Sequence, residues 1–226
     1  MDDVSARQIA RFLGAAVLTT CATLNAAVSI SSTAAAAPCP DIEVVFARGS
    51  DQPPGVGGEG QALVDSLRPQ VGGRSVGVYA VNYAATSKTN ELANSASAGA
   101  KDASAHVEYM AANCPDTRMV LGGYSLGAIV IDLITADRVP PQGFIPAPMP
   151  PKVADHVAAV AVFGNPWGRS LGAPLTAISP LYGAKAIDLC NPGDPICSDG
   201  GDPSAHNRYV QSGMVNQAAT FAASRL

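Results

Sequence analysis

Short apolar runs alternate with longer segments of helical spacing along most of the chain. Residues 42–47 (IEVVFA) form a β-branched run, which is typical of a strand buried on both faces of a parallel sheet. Further runs of this kind predict strands at 76–81, 117–122, 157–163 and 185–189. Because helical patterns separate these runs, the chain predicts an α/β fold with a central parallel sheet and helices on both faces.

The helical patterns have apolar residues three and four positions apart. They predict helices at 59–68, 98–113, 126–136 and 204–225. The segment 86–97 is rich in Ser, Asn and Ala, and we expect a loop there. Segment 139–151 contains six prolines, which indicates a long surface loop or flap without regular structure.

The composition fits one domain of ordinary size. Hydrophobic residues make up 47% of the 226 residues but aromatic residues only 5%, so Ala, Val, Leu and Ile must fill the core. The net charge of −4 comes without any basic run, and we therefore expect no nucleic-acid partner.

The N-terminus has the pattern of an export signal. Two arginines precede an apolar stretch at 12–30, and a run of small residues follows at 31–37. Threonine and asparagine residues interrupt the stretch, which weakens the alternative of a membrane anchor. We expect residues 1–36 to be a cleaved signal peptide and residues 37–226 to be one secreted domain without a membrane span, extracellular or associated with the cell envelope.

Four cysteines lie beyond the expected signal: Cys39, Cys114, Cys190 and Cys197. An even number in an exported chain indicates two disulfides, although four cysteines allow three pairings. A bridge between Cys190 and Cys197 is geometrically easy because they enclose a short turn-rich segment, and it leaves Cys39 with Cys114. The alternative is a metal site, which needs closely spaced cysteines or nearby histidines. The sequence has neither, so we expect no metal.

The sequence GYSLG at 123–127 is a G-x-S-x-G motif. The motif alone is weak evidence, but here a predicted strand precedes it and a predicted helix follows it, as in a nucleophile elbow. The flanking glycines remove Cβ atoms that would collide around such a sharp turn. A glycine-rich turn without chemistry, such as a phosphate-binding loop, is the alternative. We expect Ser125 to be a nucleophile.

A serine nucleophile needs a base, which a third group orients. The α/β-hydrolase order of serine, acid, histidine favours His206, which follows the serine and several acids. We expect His106 to be a solvated helix residue and His156 to lie in a surface turn.

The third group is expected to be Asp194, which lies in the small loop between the last two cysteines. This loop follows the predicted strand 185–189, and sites form at the carboxyl ends of parallel strands. Asp188 and Asp199 are the alternatives. For the oxyanion we expect two donors, the N–H of Leu126 and the N–H or hydroxyl of Ser50 after the first strand.

Several stretches together resemble the cutinase family, in particular its mycobacterial cutinase-like secreted proteins. They are VVFARGS at 44–50, GGYSLGA at 122–128, DLCNPGDPIC at 188–197, and His206 with Tyr209, and the resemblance extends over 39–226. It implies a small, lidless α/β-hydrolase with an exposed serine. It also implies the triad Ser125, Asp194 and His206, oxyanion positions Ser50 and Leu126, and the bridges Cys39–Cys114 and Cys190–Cys197.

The chain departs from the family pattern at two places. The family usually has Gln where this chain has Leu126, so a main-chain donor remains but any side-chain contribution to the oxyanion hole is lost. The loop 139–151 is longer than the family norm. Phe144, Ile145 and Met149 on this loop either border the site and contact acyl chains or belong to a passive surface insertion.

We therefore expect a monomeric secreted serine esterase that forms an acyl-enzyme and uses no cofactor. Its partners would be ester or lipid substrates: short- to medium-chain acyl esters, lipid esters or cutin-like polyesters. An esterase for acetylated polysaccharide or phospholipid is an alternative on the same machinery. A non-catalytic exported binding protein is the alternative from another class, and Leu126 is the feature that favours it.

Overall fold

The computed structural model describes residues 38–138 and 141–226, so the expected signal peptide lies outside the described residues. Five parallel strands form one sheet in the order β2-β1-β3-β4-β5. They are β1 (Ile42–Ala47), β2 (Val76–Ala80), β3 (Arg118–Tyr124), β4 (Val157–Phe163) and β5 (Ala186–Leu189). The five predicted strands and the parallel α/β architecture are therefore confirmed.

Helices cover both faces of this sheet. They are α1 (Gly57–Leu67), α2 (Thr89–Asn113), α3 (Leu126–Thr135), α4 (Pro166–Ser170), α5 (Leu175–Ile178) and α6 (Met214–Ala223). Helices α1 and α6 pack on one face, while α2 and α3 pack on the other. Among the described residues, no helix is long and apolar enough to cross a bilayer.

The strands supply alternate side chains to two hydrophobic cores. In β1, Val45 and Ala47 point toward α2 and α3, while Val44 and Phe46 point toward α1 and α6. All four are fully buried. The continuous apolar run of β1 therefore reflects a strand with helices on both sides, because neither face is left to water.

Helix α2 begins at Thr89, so the expectation of a loop throughout 86–97 was wrong. The reason is close packing by small residues. Ser95 and Ala96 are buried, and a Cβ on Gly99 would lie 3.0 Å from carbon atoms of Tyr83 and of Val130 on α3. Large apolar side chains would not fit here, so the segment lacks the apolar stripe by which helices are recognised.

The expected helix 204–225 is interrupted. A short 3₁₀ turn, Pro203–Asn207, comes first, and α6 begins only at Met214. Between them the side chain of Tyr209 is fully buried, and Gly213 has a φ of +78°, a left-handed conformation that glycine adopts without strain. The chain therefore changes direction at the 3₁₀ turn and again near Gly213. As a result, His206 lies on a short turn rather than on a long helix.

His106 is not a solvated helix residue, contrary to expectation. Its Nε2 lies 2.9 Å from Oε2 of Glu43, and its ring stacks on Tyr79 with centroids 3.4 Å apart. Glu43 belongs to buried strand β1 and needs a polar partner there. An acidic residue inside an otherwise apolar strand was the sequence signal for this pair.

The proline-rich segment has no helix or strand over 141–150, but it is not a passive loop throughout. Met149 is buried in the core beside α3, and its N–H donates to the carbonyl oxygen of Ile134. Phe144 packs edge-on against Trp167 with ring centroids 5.6 Å apart, whereas Ile145 is 66% exposed. Met149 is thus a packing residue, which matches neither of the two alternatives considered for this loop.

Both expected disulfides are present. Cys39–Cys114 joins the segment before β1 to the end of α2, and Cys190–Cys197 closes a loop after β5. The Cα–Cα distances are 5.6 and 5.8 Å, which are ordinary for disulfides. The second bridge restrains the loop that contains Asp194.

A buried carboxyl group, that of Asp132, meets the half-buried carboxyl of Asp188 between α3 and β5. The side-chain amide of Asn165 donates to Oδ2 of Asp132 at 2.9 Å and to Oδ2 of Asp188 at 3.3 Å. Oδ1 of Asp132 has no hydrogen-bond partner in the described part of the chain. Burial and the nearby charge of Asp188 raise the pKa of Asp132 well above its ordinary value, and burial also raises the pKa of Asp188.

We predict that Asp132→Asn stabilises the protein at neutral pH. Because folding raises the pKa of Asp132, its carboxyl costs the folded state increasing stability as the pH rises from the ordinary pKa to the raised one, whereas a neutral amide carries no such cost. The free energy of unfolding at pH 7 should increase by about 1 kcal/mol, which is about 2–4 °C in Tm. Thermal unfolding followed by circular dichroism checks this.

The gain should shrink at pH 4, where the wild-type carboxyl is protonated. The exposed Asp116→Asn serves as the matched control and should leave Tm unchanged at both pH values. A lower Tm for Asp132→Asn at pH 7 would contradict the expectation that the buried Asp132 carboxyl costs stability.

Candidate active site

Ser125 lies on a strained turn between β3 and α3. Its φ is +54°, which is rare for a residue with a side chain, and its N–H donates to the carbonyl oxygen of Phe163. A Cβ on Gly123 would lie 2.2 Å from the carbonyl oxygen of Gly127, so the turn excludes a side chain there. The half-buried serine therefore sits at the carboxyl edge of the sheet, in the sharp turn that the motif predicted.

His206 lies beside this serine, with Nε2 2.9 Å from the Ser125 Oγ. The hydroxyl of Tyr124 donates to the main-chain oxygen of His206 at 2.7 Å and anchors its turn. Gly164 lies against the imidazole. A Cβ at this position would come within 2.8 Å of the His206 Cε1, and Gly164 also has a φ of +57°. The imidazole thus occupies space that only a glycine at position 164 leaves free.

Asp194 completes a chain of hydrogen bonds. Its Oδ2 lies 2.8 Å from Nδ1 of His206, and its Oδ1 accepts the N–H of Ile196 at 2.8 Å. The side chain is fully buried. Because a carboxylate only accepts, Nδ1 carries the imidazole proton and Nε2 is free to accept from the Ser125 hydroxyl.

The alternative acids lie elsewhere. Asp188 bonds Asn165 and the N–H of Leu175, and Asp199 pairs with Arg169 at the surface with its side chain 95% exposed. Neither has a hydrogen bond to His206 within the described residues. The structure therefore brings together Ser125, Asp194 and His206, the three residues that the sequence had favoured.

Tyr209 joins the same network, although the sequence alone predicted no role for it. Its hydroxyl donates to Oδ2 of Asp194 at 2.6 Å and accepts the N–H of Asn191 at 3.1 Å. Burial, followed by the hydrogen bond to Asp194, raises the pKa of this phenol far above its ordinary value. Its position three residues after His206 was the available signal, but spacing alone does not reveal a contact with the acid.

Leu126 is the first residue of α3 and directly follows Ser125, so its N–H has no partner within the helix. Its side chain is 2% exposed and packs in the core shared with α2. The residue that replaces the family's usual Gln therefore contributes a packing side chain while its main-chain donor is retained.

Ser50 lies on the loop after β1, and buried Arg48 holds this loop in place. The Arg48 guanidinium donates to main-chain oxygens of Gln52 and Tyr83. A Cβ on Gly127 would lie 1.9 Å from the carbonyl oxygen of Ala47, so the start of α3 is pressed against the end of β1. This contact brings the loop of Ser50 next to the first turn of α3.

One group of three possible metal ligands occurs among the described residues: Cys190, Asp194 and Cys197, with ligand atoms within 4.8 Å of one another. The two sulfur atoms are joined in a disulfide and so are not thiolate ligands. The carboxylate is already bonded to three donors. This group therefore serves the hydrogen-bond network described above.

Comparisons with known proteins show which family the chain belongs to. The cutinase family model matches residues 38–226. The chain is 53% identical over 228 residues to carboxylesterase Culp1 of Mycobacterium tuberculosis, with 97% of each chain covered. It is 54% identical over 192 residues to phospholipase Culp4 of the same species, which covers 85% of this chain and 81% of that protein.

A solved structure extends the comparison to the fold. The catalytic core domain of acetyl xylan esterase from Trichoderma reesei has a TM-score of 0.72 and 27% identity, over 84% of this chain and 100% of that chain. The family model matches residues 38–226, and this structural match covers 84% of the chain. The chain therefore belongs to the cutinase family and has its α/β-hydrolase fold.

Proposed function

We propose that this carboxylic ester hydrolase works through an acyl-enzyme on Ser125. The Ser125 Oγ attacks the ester carbonyl carbon while His206 Nε2 takes its proton, and the same nitrogen then protonates the departing alcohol. Asp194 holds the imidazole and stabilises its charged form. The observation that carries the proposal is the continuous chain of hydrogen bonds, 2.9 Å from serine to imidazole and 2.8 Å from imidazole to carboxylate.

The second half of the cycle uses the same groups. His206 deprotonates a water molecule that attacks the acyl carbon, and Ser125 leaves with the proton restored to its oxygen. In both halves the carbonyl oxygen becomes negatively charged. We assign its stabilisation to the N–H of Leu126 and to Ser50, and the close approach of Gly127 on α3 to the end of β1 supports this assignment.

The alternative of a non-catalytic binding protein has less support. It rested on Leu126, whose side chain packs into the core while its N–H stays at the serine turn. A scaffold without chemistry would have no need to keep Ser125 at a φ of +54° with a histidine aligned on its hydroxyl. Such strain persists where the surrounding structure enforces it, and it occurs mainly at functional sites.

The proposed substrates are short- to medium-chain acyl esters and lipid esters. Two large apolar side chains are partly exposed on the loops that carry the acid and the base: Ile196 at 39% and Val210 at 43%. They offer a limited apolar surface for an acyl chain. Relatives named carboxylesterase, phospholipase and acetyl xylan esterase make phospholipids and acetylated polysaccharides the substrates to compare.

We also propose that the protein is exported and that residues 1–36 are removed as a signal peptide. Two disulfides, Cys39–Cys114 and Cys190–Cys197, support this proposal, since such bonds persist in oxidising compartments outside the cytosol. The first bridge begins only three residues after the expected cleavage site near Ala36.

We predict that Ser125→Ala lowers kcat for p-nitrophenyl butyrate by at least about 10⁴-fold, because the nucleophile is lost. The exposed Ser170→Ala is the matched control and should retain wild-type kcat. A fluorophosphonate should label the wild type at Ser125 and leave Ser125→Ala unlabelled. Turnover retained by a folded Ser125→Ala variant would remove Ser125 from the mechanism.

We predict that Gly164→Ala lowers kcat/KM by about tenfold or more, because the new methyl group would meet the His206 ring at 2.8 Å. Gly172→Ala is the matched control. Gly172 also has a positive φ, +72°, but its Cβ would meet nothing within 4 Å. Both variants should lose stability from backbone strain, by about 1 kcal/mol, and only Gly164→Ala should lose activity. Equal kcat/KM in the two variants would show that the fit at Gly164 is not required.

We predict the highest kcat/KM on butyrate to octanoate esters in a p-nitrophenyl series from acetate to palmitate, because the exposed apolar surface is small. Ile196→Ser should reduce the octanoate rate more than the acetate rate. Acetylated xylan and phosphatidylcholine vesicles, assayed on the same purified protein, test the two alternative substrates. A preference for acetate with rapid xylan deacetylation would overturn the proposed chain-length range.

A further inference from the structure

The Asp194 carboxylate is shared between two donors on one oxygen. Oδ2 lies 2.6 Å from the hydroxyl of Tyr209 and 2.8 Å from Nδ1 of His206. Oδ1 takes the N–H of Ile196 at 2.8 Å. Hydrogen bonds to a charged acceptor are short and strong. The imidazole of His206 therefore shares Oδ2 of Asp194 with the hydroxyl of Tyr209.

The direction of the Tyr209 hydroxyl follows from its other contacts. The main-chain N–H of Asn191 donates to it at 3.1 Å, so the phenolic proton must point elsewhere. Sγ of Cys197 lies 3.4 Å away, but a disulfide sulfur is a much weaker acceptor than a carboxylate oxygen at 2.6 Å. The short contact to Oδ2 of Asp194 is therefore the bond that the Tyr209 proton makes. Since burial keeps this phenol protonated, it is a permanent donor.

The aromatic ring of Tyr209 is held independently of its hydroxyl. It packs edge-on against Phe163 at 5.9 Å, Tyr124 at 5.8 Å and the imidazole of His206 at 6.3 Å between ring centroids. The side chain is fully buried. A phenylalanine would keep these packing contacts and lose only the hydroxyl, which makes the bond to Asp194 separable from the fold.

We propose that Tyr209 is a positioning residue of the hydrolytic reaction. It holds Asp194 in place and, by sharing Oδ2, sets how strongly the carboxylate stabilises the protonated imidazole of His206. The inference rests on the proposed function of Ser125, Asp194 and His206. Tyr209 touches no reacting atom and acts only through the carboxylate. Its bond fixes the Oδ2 lone pairs, and it also ties the disulfide loop to the core through Asn191.

Tyr209→Phe is the direct test. Without the phenolic donor, Oδ2 interacts with the imidazole alone, so protonated His206 is favoured. The acidic limb of the kcat/KM profile against pH should then move to higher pH by about half a unit. A less firmly held carboxylate should lower kcat by about tenfold while KM stays within about twofold. A loss of packing alone would not move the acidic limb.

Two matched variants separate positioning from the general loss of a buried hydroxyl. Tyr124→Phe removes a neighbouring hydroxyl that binds the main-chain oxygen of His206, so its acidic limb should not move. Tyr182→Phe removes a buried hydroxyl without a hydrogen-bond partner in the described residues, and it should behave as the wild type. Circular dichroism and Tm establish that each variant is folded.

A second measurement needs no substitution at Tyr209. Protein made with 3-fluorotyrosine has more acidic phenols, which donate more strongly to Asp194, and its acidic limb should move to lower pH. The opposite shifts in Tyr209→Phe and in the fluorinated protein would support the proposal. An unmoved acidic limb in both, or a limb that moves equally in Tyr124→Phe, would overturn it. If Ser125→Ala remains active, the proposed function itself fails, and this outcome is distinct from a failure of Tyr209 alone.

Discussion

A fully buried carboxylate, that of Asp194, is the interaction on which the site depends. A charge removed from water is tolerated only when several donors meet it, and here they come from three parts of the chain: the imidazole of His206, the phenol of Tyr209 and the N–H of Ile196. Satisfying this one group therefore fixes the disulfide loop, the 3₁₀ turn after it and the segment before α6 relative to one another. The histidine that faces the serine is oriented as a consequence of that arrangement.

Close approach of the main chain to neighbouring groups is the second constraint on the site. Gly127 lets α3 start against the end of β1, and Gly164 leaves the space that the imidazole fills. Side chains at either position would push apart groups that must lie within hydrogen-bond distance. The carboxylate thus fixes the imidazole through Nδ1. The two glycines leave the room that lets the serine, the imidazole and the loop of Ser50 lie close together.

Much of this arrangement could be predicted from the sequence, because its determinants are local. The apolar runs of β1 and β4 and the G-x-S-x-G turn at Ser125 depend on neighbours along the chain. The order of the residues favoured His206, and the loop between two cysteines after a predicted strand favoured Asp194. Long-range contacts set the rest. Helix α2 starts early because small residues pack closely against α3, and the bond from Tyr209 to Asp194 exists only after the chain turns twice. No periodicity in the sequence encodes either contact.

The most direct test of the account is a crystal structure of the protein after reaction with a short alkyl phosphonate ester. The account predicts phosphorus bonded to Ser125 Oγ, one phosphonyl oxygen accepting from the N–H of Leu126 and from Ser50, and His206 still bonded to Asp194. A phosphonate on another residue, or one on Ser125 with its oxygen turned to solvent and the imidazole displaced, would contradict it.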